Sequence, residues 1–435
     1  MKKSIILLMT VLLGLAWYLA VSETAGALVK AKEHMEKAAE LEKKEIYVDA
    51  VLEYENALEY DPDNEDIYLH LADASLNSGD ADGFISVCEK AAETFQDSTK
   101  ALDTLMNYYL DNDYEERAVK YLENFIEEYP ENQNARAWFE KLKGSYTELY
   151  CYYEELGEIV NHSMVVLEEG KYGLADAVGN EIIPCEYKEI YPFSEEGFAL
   201  AQRDDGTWIY IDENNQVRKA PENEYDVLGM YTEEGTTARR NGKYGFLDEN
   251  MEPIGEFVWD GLTGLKNGVA AAQRDGEWSL ITPKGKERSQ ERYEDVISDD
   301  NGFCSWQKRI FVKKDGEYQM VNTKGKAVGE LTFDLAKAFT DEGYAAVCKD
   351  GKWGYINEDG ELVLDFQYDD AQSFQNGFAA VCIDGKWGYI DEQGTVVIQP
   401  EFLMCSHISD EGTAAVQAEE GGDKIWKLLQ LNLFQ

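Results

Sequence analysis

The chain has 435 residues, with 86 acidic against 40 basic side chains and a formal net charge of −46. That excess repels nucleic-acid phosphates and anionic lipid headgroups, so both are excluded as docking surfaces for the body of the chain. Apolar residues make up 44%, enough to build the cores of two or three domains of ordinary size.

Met1-Lys2-Lys3 opens the sequence, and Ser4 to Val21 follow as 18 residues without a charge. A cleaved signal peptide has a basic start, a short apolar core and a small-residue cleavage site, for which Ala20-Val21-Ser22 would serve. A signal anchor needs about 20 apolar residues. Trp17 and Tyr18 stand where an interfacial aromatic belt would lie. The anchor is the favoured reading for residues 1–23. It predicts a single-pass membrane protein with an extracytoplasmic C-terminal region, or a secreted one if the segment is cleaved. The membrane is touched through this segment only.

Residues 24–145 are rich in Ala, Leu, Glu, Lys and Tyr, with apolar residues at helical spacing. A shift of 34 residues aligns Ala38, Ala72 and Met106; Ala50, Phe84 and Ala118; Ala57, Ala91 and Phe125; and Pro62, Gln96 and Pro130. Small residues let paired helices approach, and proline stops the second helix of a unit. Asn77-Ser78-Gly79-Asp80 and Asp111-Asn112-Asp113 supply turns within units. The segments DAVLEYENALEYDP and ERAVKYLENFIEEYP resemble the second helix of the tetratricopeptide (TPR) repeat family, whose period is 34 residues. Three units and a capping helix meet the minimum for a stable solenoid. Unit 2 departs at Cys88 and Gln96. Met106 and Phe125 fill the small positions of unit 3, which predicts a wider helix pair there. The resemblance implies a concave groove that binds a peptide or protein, lined by Asp66, Leu69, Asp73, Leu76, Lys100, Asp103, Asn107 and Leu110. The competing reading of the array is a spacer.

Over residues 150–435 glycine and aromatics rise and helical periodicity ends. Seven units have a turn glycine: Gly170, Gly206, Gly242, Gly276, Gly316, Gly351 and Gly385, at spacings of 36, 36, 34, 40, 35 and 34. Asp precedes five of them. Asp-Gly between alternating runs is the strongest short-range hairpin signal. The expected strands include Phe378–Ile383, Lys386–Asp391 and Thr395–Gln399, with a weaker fourth segment such as Tyr368–Phe374 closing the unit. A partial eighth hairpin follows the seventh unit. Lys-Trp-Gly at Lys352–Gly354 and Lys386–Gly388, with Lys-Tyr-Gly at Lys171–Gly173 and Lys243–Gly245, resembles the WG-repeat family. The signature aromatics are Tyr172, Trp208, Tyr244, Trp278, Tyr318, Trp353 and Trp387. Their expected role is structural, packing between units. The alternative is stacking on sugars in surface pockets.

The fold expected is therefore multidomain: an all-α TPR solenoid, then an all-β repeat domain. For the latter, a closed β-propeller is favoured over an open β-solenoid because closure removes strand edges. No P-loop, GxGxxG, HExxH or GxSxG occurs, and no unit is singled out by unusual residues. The seven cysteines form no CxxC, and the four histidines are scattered. No catalytic residue, cofactor site or metal site is expected, and the acidic turns read as structural. The expected function is a non-enzymatic extracytoplasmic binding or scaffold protein with a protein partner. A carbohydrate or cell-wall glycan module is the alternative, and a hydrolase on a propeller frame is a further one.

Overall fold

The computed structural model describes residues 25–221 and 225–434. The signal-anchor assignment at residues 1–23 lies outside them. Among the described residues no helix is long and apolar enough to cross a membrane. The chain divides into two compact units, one ending at Leu142 and one spanning Lys143–Gln435.

The first unit consists of seven helices among the described residues: α1 (25–42), α2 (Tyr47–Tyr60), α3 (Glu65–Asn77), α4 (Ala81–Thr94), α5 (Lys100–Asp111), α6 (Glu115–Glu128) and α7 (Gln133–Leu142). They pair as α1/α2, α3/α4 and α5/α6, with α7 as the cap. The small residues of the 34-residue pattern, Ala38, Ala50, Ala57, Ala72, Ala91 and Ala118, are all fully buried. A methyl group at each contact lets the backbones approach. Where Met106 and Phe125 take their place, α5 and α6 pack less closely than α3 and α4. Two helix starts are capped by side chains. Asn64 accepts from the Asp66 amide at 3.2 Å and Asp80 from the Gly83 amide at 2.9 Å, satisfying donors that have no partner within the helix.

The second unit is an eight-bladed β-propeller; the open solenoid is excluded. Its eight antiparallel sheets follow in chain order. Blades 1 to 4 occupy 155–187, 189–219, 227–259 and 261–281. Blades 5 to 8 occupy 295–322, 335–368, 370–402 and 404–431. Blade 8 is completed by Tyr146–Leu149, which pairs antiparallel with Leu431 back to Leu428. The strand that closes the ring thus comes from the start of the unit, in a stretch that the sequence reading left between the two domains. Leu156 and Met164 of blade 1 share a core with Ala415 and Leu428 of blade 8, so the ring has no open edge there.

The blade boundary also corrects the expected unit. The segment read as a weak closing strand, Tyr368–Phe374, contains Asp370–Ala371, the short first strand of the next blade. The hairpin prediction holds in detail. In blade 7, Phe378–Ile383 pairs with Lys386–Asp391 around Asp384 and Gly385, with φ of 52° and 77°. Both values are positive, as a type I′ turn requires.

The glycine of Lys-Trp-Gly faces a bulge in the outer strand. In blade 7, Trp387 pairs with Phe402 and Tyr389 with Ile398, so extra outer-strand residues pass opposite Gly388. A Cβ at Gly388 would lie 2.4 Å from the Ile398 carbonyl oxygen. At Gly354 and Gly173 the corresponding backbone oxygens are at 2.7 and 2.5 Å. Blades 2, 4 and 5 lack the glycine: with Ile209 the outer strand shortens to Val217–Lys219, and with Ser279 and Gln319 it is reduced to isolated bridges such as Trp278 with Tyr293 and Tyr318 with Phe333.

All seven cysteines are free. Cys88, Cys304, Cys348, Cys382 and Cys405 are buried, whereas Cys151 and Cys185 are half-buried. Burial pushes the thiols up, to about 12 for Cys88 and about 11 for Cys185 and Cys304. The thiolate is the reactive form. A neutral thiol reagent at pH 7.5 is therefore expected to modify no more than Cys151 and Cys185 quickly in the native protein, and all seven in denaturant. Absorbance of the released chromophore measures this. Five rapid equivalents in the native state would refute the burial assigned to these cysteines.

Candidate functional site

The residues expected to line the helical groove sit on α3 and α5. Asp66, Asp73, Leu76, Lys100 and Asn107 are exposed, and Leu69, Asp103 and Leu110 are half-buried. Two of them meet: Lys100 Nζ lies 3.2 Å from Asp66 Oδ1 and also 3.5 Å from Glu65. Asp103 is engaged by α7, accepting from Trp138 Nε1 at 2.7 Å and Asn134 Nδ2 at 3.1 Å. Burial alone would push the Asp103 carboxyl up, but these donors and Thr99 outweigh it and hold it below the usual range. Asp73, Leu76 and Asn107 are left as a solvent-facing patch.

The signature aromatics pack into cores that join neighbouring blades. Trp353 of blade 6 lies with Ala371, Val381 and Ile390 of blade 7. Trp208 of blade 2 lies with Tyr225, Leu228 and Ala238 on the blade 3 side. Trp208, Tyr318 and Trp353 are buried; Tyr172, Tyr244, Trp278 and Trp387 are half-buried, each against such a cluster. The lysine of the motif bridges blades as well: Lys171 reaches Asp204, and Lys243 reaches Asp260. Lys352 Nζ lies 2.6 Å from Asp369.

A different feature gathers residues from the whole ring. The turns linking the first and second strands of all eight blades converge on one cavity of about 570 Å³. Ten of its lining residues are Asp or Glu, against one lysine and two histidines. A concave site with one sign of charge focuses its field. The acids arise from a turn that recurs in the sequence: Ser194-Glu195-Glu196-Gly197, Thr232-Glu233-Glu234-Gly235, Thr340-Asp341-Glu342-Gly343, Ser409-Asp410-Glu411-Gly412 and, as a variant, Asp299-Asp300-Asn301-Gly302. The glycines take positive φ, 76° at Gly197 and 78° at Gly343. In several turns one acid staples the next blade. Glu234 accepts from the Asn267 and Gly268 amides at 3.1 and 2.7 Å, and Glu196 accepts from the Glu233 amide at 3.3 Å. Glu233, Asp300 and Glu342 make no ion pair among the described residues.

Contrary to the sequence expectation, one unit is singled out. In blade 5 the first turn is a long loop, 297–308, where blade 6 has 337–343; this is the origin of the 40-residue spacing between Gly276 and Gly316. The loop brings Asp299, Asp300, Phe303 and Trp306 to the cavity. Trp306 stacks on Phe339, with centroids 5.1 Å apart and planes 18° apart, and its Nε1 donates to Asp341 Oδ1 at 3.3 Å. Burial pushes the Asp299 carboxyl up, against the opposing pull of the Phe303 and Asn301 amides. Across the cavity, Glu158 Oε2 accepts from the His407 amide at 2.9 Å and faces its Nδ1 at 3.3 Å. Burial pushes the His407 imidazole down, but Glu158 and Asp300 outweigh burial and Lys337, so it stands above the usual range.

The other acidic turns serve the backbone. Asp391 Oδ1 accepts from the Gln393 and Thr395 amides at 3.0 and 2.8 Å, and Asp176, Asp212 and Asp248 do the same in their blades.

Family models match both parts of the chain. The WG containing repeat matches 172–208, 244–278, 320–353, 353–387 and 387–421. The tetratricopeptide repeat matches 43–107. The chain carries a tetratricopeptide repeat followed by five WG repeats. Each WG match starts in the third strand of one blade and ends in the next, so the sequence repeat is offset from the blade and ties neighbours together. No curated protein matches the chain. Among solved structures, a eukaryotic initiation factor is similar at 11% identity and a TM-score of 0.44, covering 64% of this chain and 86% of that one. Hsv2 of Kluyveromyces lactis follows at 11% identity and 0.37, covering 66% and 98%. The AfRom2 CNH domain is at 9% and 0.34, covering 66% and 98%.

Proposed function

We propose that this WG- and TPR-repeat protein is a non-enzymatic scaffold that works outside the cytoplasm and holds a protein partner. The observation that carries the reading is the solvent-facing row on α3 and α5. Asp73, Leu76 and Asn107 recur on one face of consecutive repeats, and Leu76 keeps 38% of its surface exposed. An apolar residue rimmed by polar ones on a solenoid suits a peptide or helix of a partner. The extracytoplasmic location is supported by the apolar run from Ser4 to Val21 behind two lysines. The packing of the signature aromatics between blades favours the scaffold over the glycan reading, because these rings are engaged by neighbouring blades.

The test is affinity purification from solubilised membranes followed by mass spectrometry. Full-length protein is compared with a chain lacking residues 25–142 and with the variant Asp73→Arg/Leu76→Glu/Asn107→Arg. The deletion stops at 142 because Lys143 belongs to the propeller unit. A partner recovered with the full chain and lost from both altered forms is the expected result. Equal recovery with all three would take recognition away from the helical face, and no partner with any of them would sink the scaffold reading.

A further inference from the structure

We propose that the axial cavity of the propeller is a binding site for an organic cation, the ammonium or guanidinium group of a lysine or arginine side chain presented by a basic segment of a partner. The proposal rests on the scaffold reading only for the source of the cation.

Three independent observations point to this class of ligand. The first is the placement of charge. The connection itself does not demand acids, because blades 4 and 7 make it with a two-residue turn, Asn267-Gly268 and Asn376-Gly377, in which both residues take positive φ. The turns of blades 2, 3, 5, 6 and 8 nevertheless bring acids to the same ring, Glu158 of blade 1 joins them, and Glu233, Asp300 and Glu342 remain without ion pairs among the described residues. The second is aromatic surface. The blade 5 insertion brings Phe303 and Trp306 to the cavity, where the Trp306–Phe339 stack and Tyr231 also line the wall. Ring faces attract cations, and more so where water is excluded. Lys266 Nζ already sits 5.4 Å from the centroid of Phe303. The third is an unsatisfied polar atom. Ser305 is 3% exposed and its Oγ has no partner. It lines a narrow cleft that shares Asp299, Phe303, Trp306 and Phe339 with the cavity. Arg309, also in that cleft, is turned to the Glu358 carbonyl oxygen, to which its Nε donates at 2.7 Å. A bound N–H donor would satisfy the Ser305 oxygen.

Size and spacing separate an organic cation from a metal ion. Calcium is held by six to eight oxygens at about 2.3–2.6 Å. Among the described residues, the group of three or more metal-type side chains whose ligand atoms converge within 4.8 Å is His162, Asp410 and Glu411, and all three are exposed. The unpaired cavity acids come from blades 3, 5 and 6 and surround a space of about 570 Å³, a volume in the range of small-molecule sites. A dispersed ring of carboxylates with aromatic walls matches a large, delocalised charge on an apolar stem.

The experiment is a titration of the full-length protein, at physiological salt, with fluorescent hexa-arginine and hexa-lysine peptides, with spermine, and with calcium. The variants are Glu233→Gln/Asp300→Asn/Glu342→Gln in the cavity and Trp306→Leu in its wall. A control, Glu127→Gln/Glu128→Gln/Glu131→Gln, removes the same charge from the helical unit. Thermal melts confirm that each variant is folded. The expected result is peptide binding that weakens at least tenfold in the cavity triple variant and several-fold in Trp306→Leu, and is unchanged in the control. Equal loss in the cavity and control variants would reduce the effect to net charge and overturn the proposal. Binding of spermine but not of either peptide would overturn the partner segment as the source. Binding of calcium alone, lost in the triple variant, would overturn the organic-cation class. A partner captured through the helical face without any peptide binding would leave the scaffold reading standing and refute this site.

Discussion

Replacing Gly388 with valine is expected to destabilise the propeller by about 3 kcal/mol or more, at the upper end of what overpacking costs. The clash is with backbone, which cannot rotate away. The new Cβ would meet the Ile398 carbonyl oxygen at 2.4 Å, the Pro400 nitrogen at 2.7 Å and the Gln399 carbonyl carbon at 2.8 Å. Relief requires the outer strand Val396–Phe402 to lift away, which breaks its pairing with Lys386–Asp391 and exposes a sheet edge. Urea denaturation of the parent and variant measures the loss. The matched control is Gln319→Val in blade 5, where the outer segment touches the third strand only at isolated bridges. That side chain is half-buried and valine suits a strand, so the change is expected to stay within about 1 kcal/mol. Equal costs at the two sites would mean that the glycine is not what admits the outer strand.

This contrast shows how much of the fold the sequence discloses and where it stops. The Asp-Gly turns disclose the hairpins because positive φ is a local demand, met by residues adjacent in the chain. The 34-residue period discloses the helix pairs for a similar reason: small residues recur wherever two helices cross. The glycine of Lys-Trp-Gly is equally visible, but its reason is not, since the atoms it avoids lie about ten residues away on another strand. The weakness of the outer strand in blades 4 and 5 could have been read from Ser279 and Gln319 had that link been known. Ring closure is less legible still. Tyr146–Leu149 pairs with Leu431 back to Leu428 at the far end of the unit, and nothing in a four-residue strand advertises its partner.

The cavity occupies an intermediate place. Its acids are plain in the sequence as repeated Ser/Thr-acid-acid-Gly turns, but a solvated turn and a converging one look alike until the ring closes. The spacing of 40 at blade 5 is the one-dimensional trace of the loop that carries Trp306. It reads as noise in a period unless the position of the insertion within the blade is known. The groove residues on α3 and α5 follow from the family register. The structure adds that Asp103 and Lys100 are engaged by neighbouring helices, which narrows the free face to Asp73, Leu76 and Asn107.

Lys143→Met is expected to cost about 3–5 kcal/mol at neutral pH, the penalty for stranding a buried partner charge. Lys143 Nζ lies 2.7 Å from Asp391 Oδ2, and the two side chains retain only 10% and 9% exposure. The pair fixes the chain just ahead of the closing strand against blade 7. There the segment passes so close that a Cβ on Gly144 would lie 2.2 Å from the Val397 carbonyl oxygen. The sign of the pH dependence makes the test specific. Burial alone would push the Asp391 carboxyl up. In the parent, the Lys143 ammonium and the Thr395 and Gln393 amides outweigh that and hold it below the usual range. The parent therefore has this stabilisation above the unfolded value, about 3.9, and loses it as pH falls through the lower folded value. Without the ammonium, burial gains the upper hand and the folded value moves up. The variant then regains stability as pH falls toward 4, because protonation removes the stranded charge. The gap between parent and variant, followed by chemical denaturation from pH 7 to pH 4, should narrow steadily. The double variant Lys143→Met/Asp391→Asn should recover much of the loss at neutral pH, since it leaves no buried charge unpaired. A gap that is constant with pH, together with no recovery in the double variant, would mean that Lys143 acts through the packing of its stem and not through its charge.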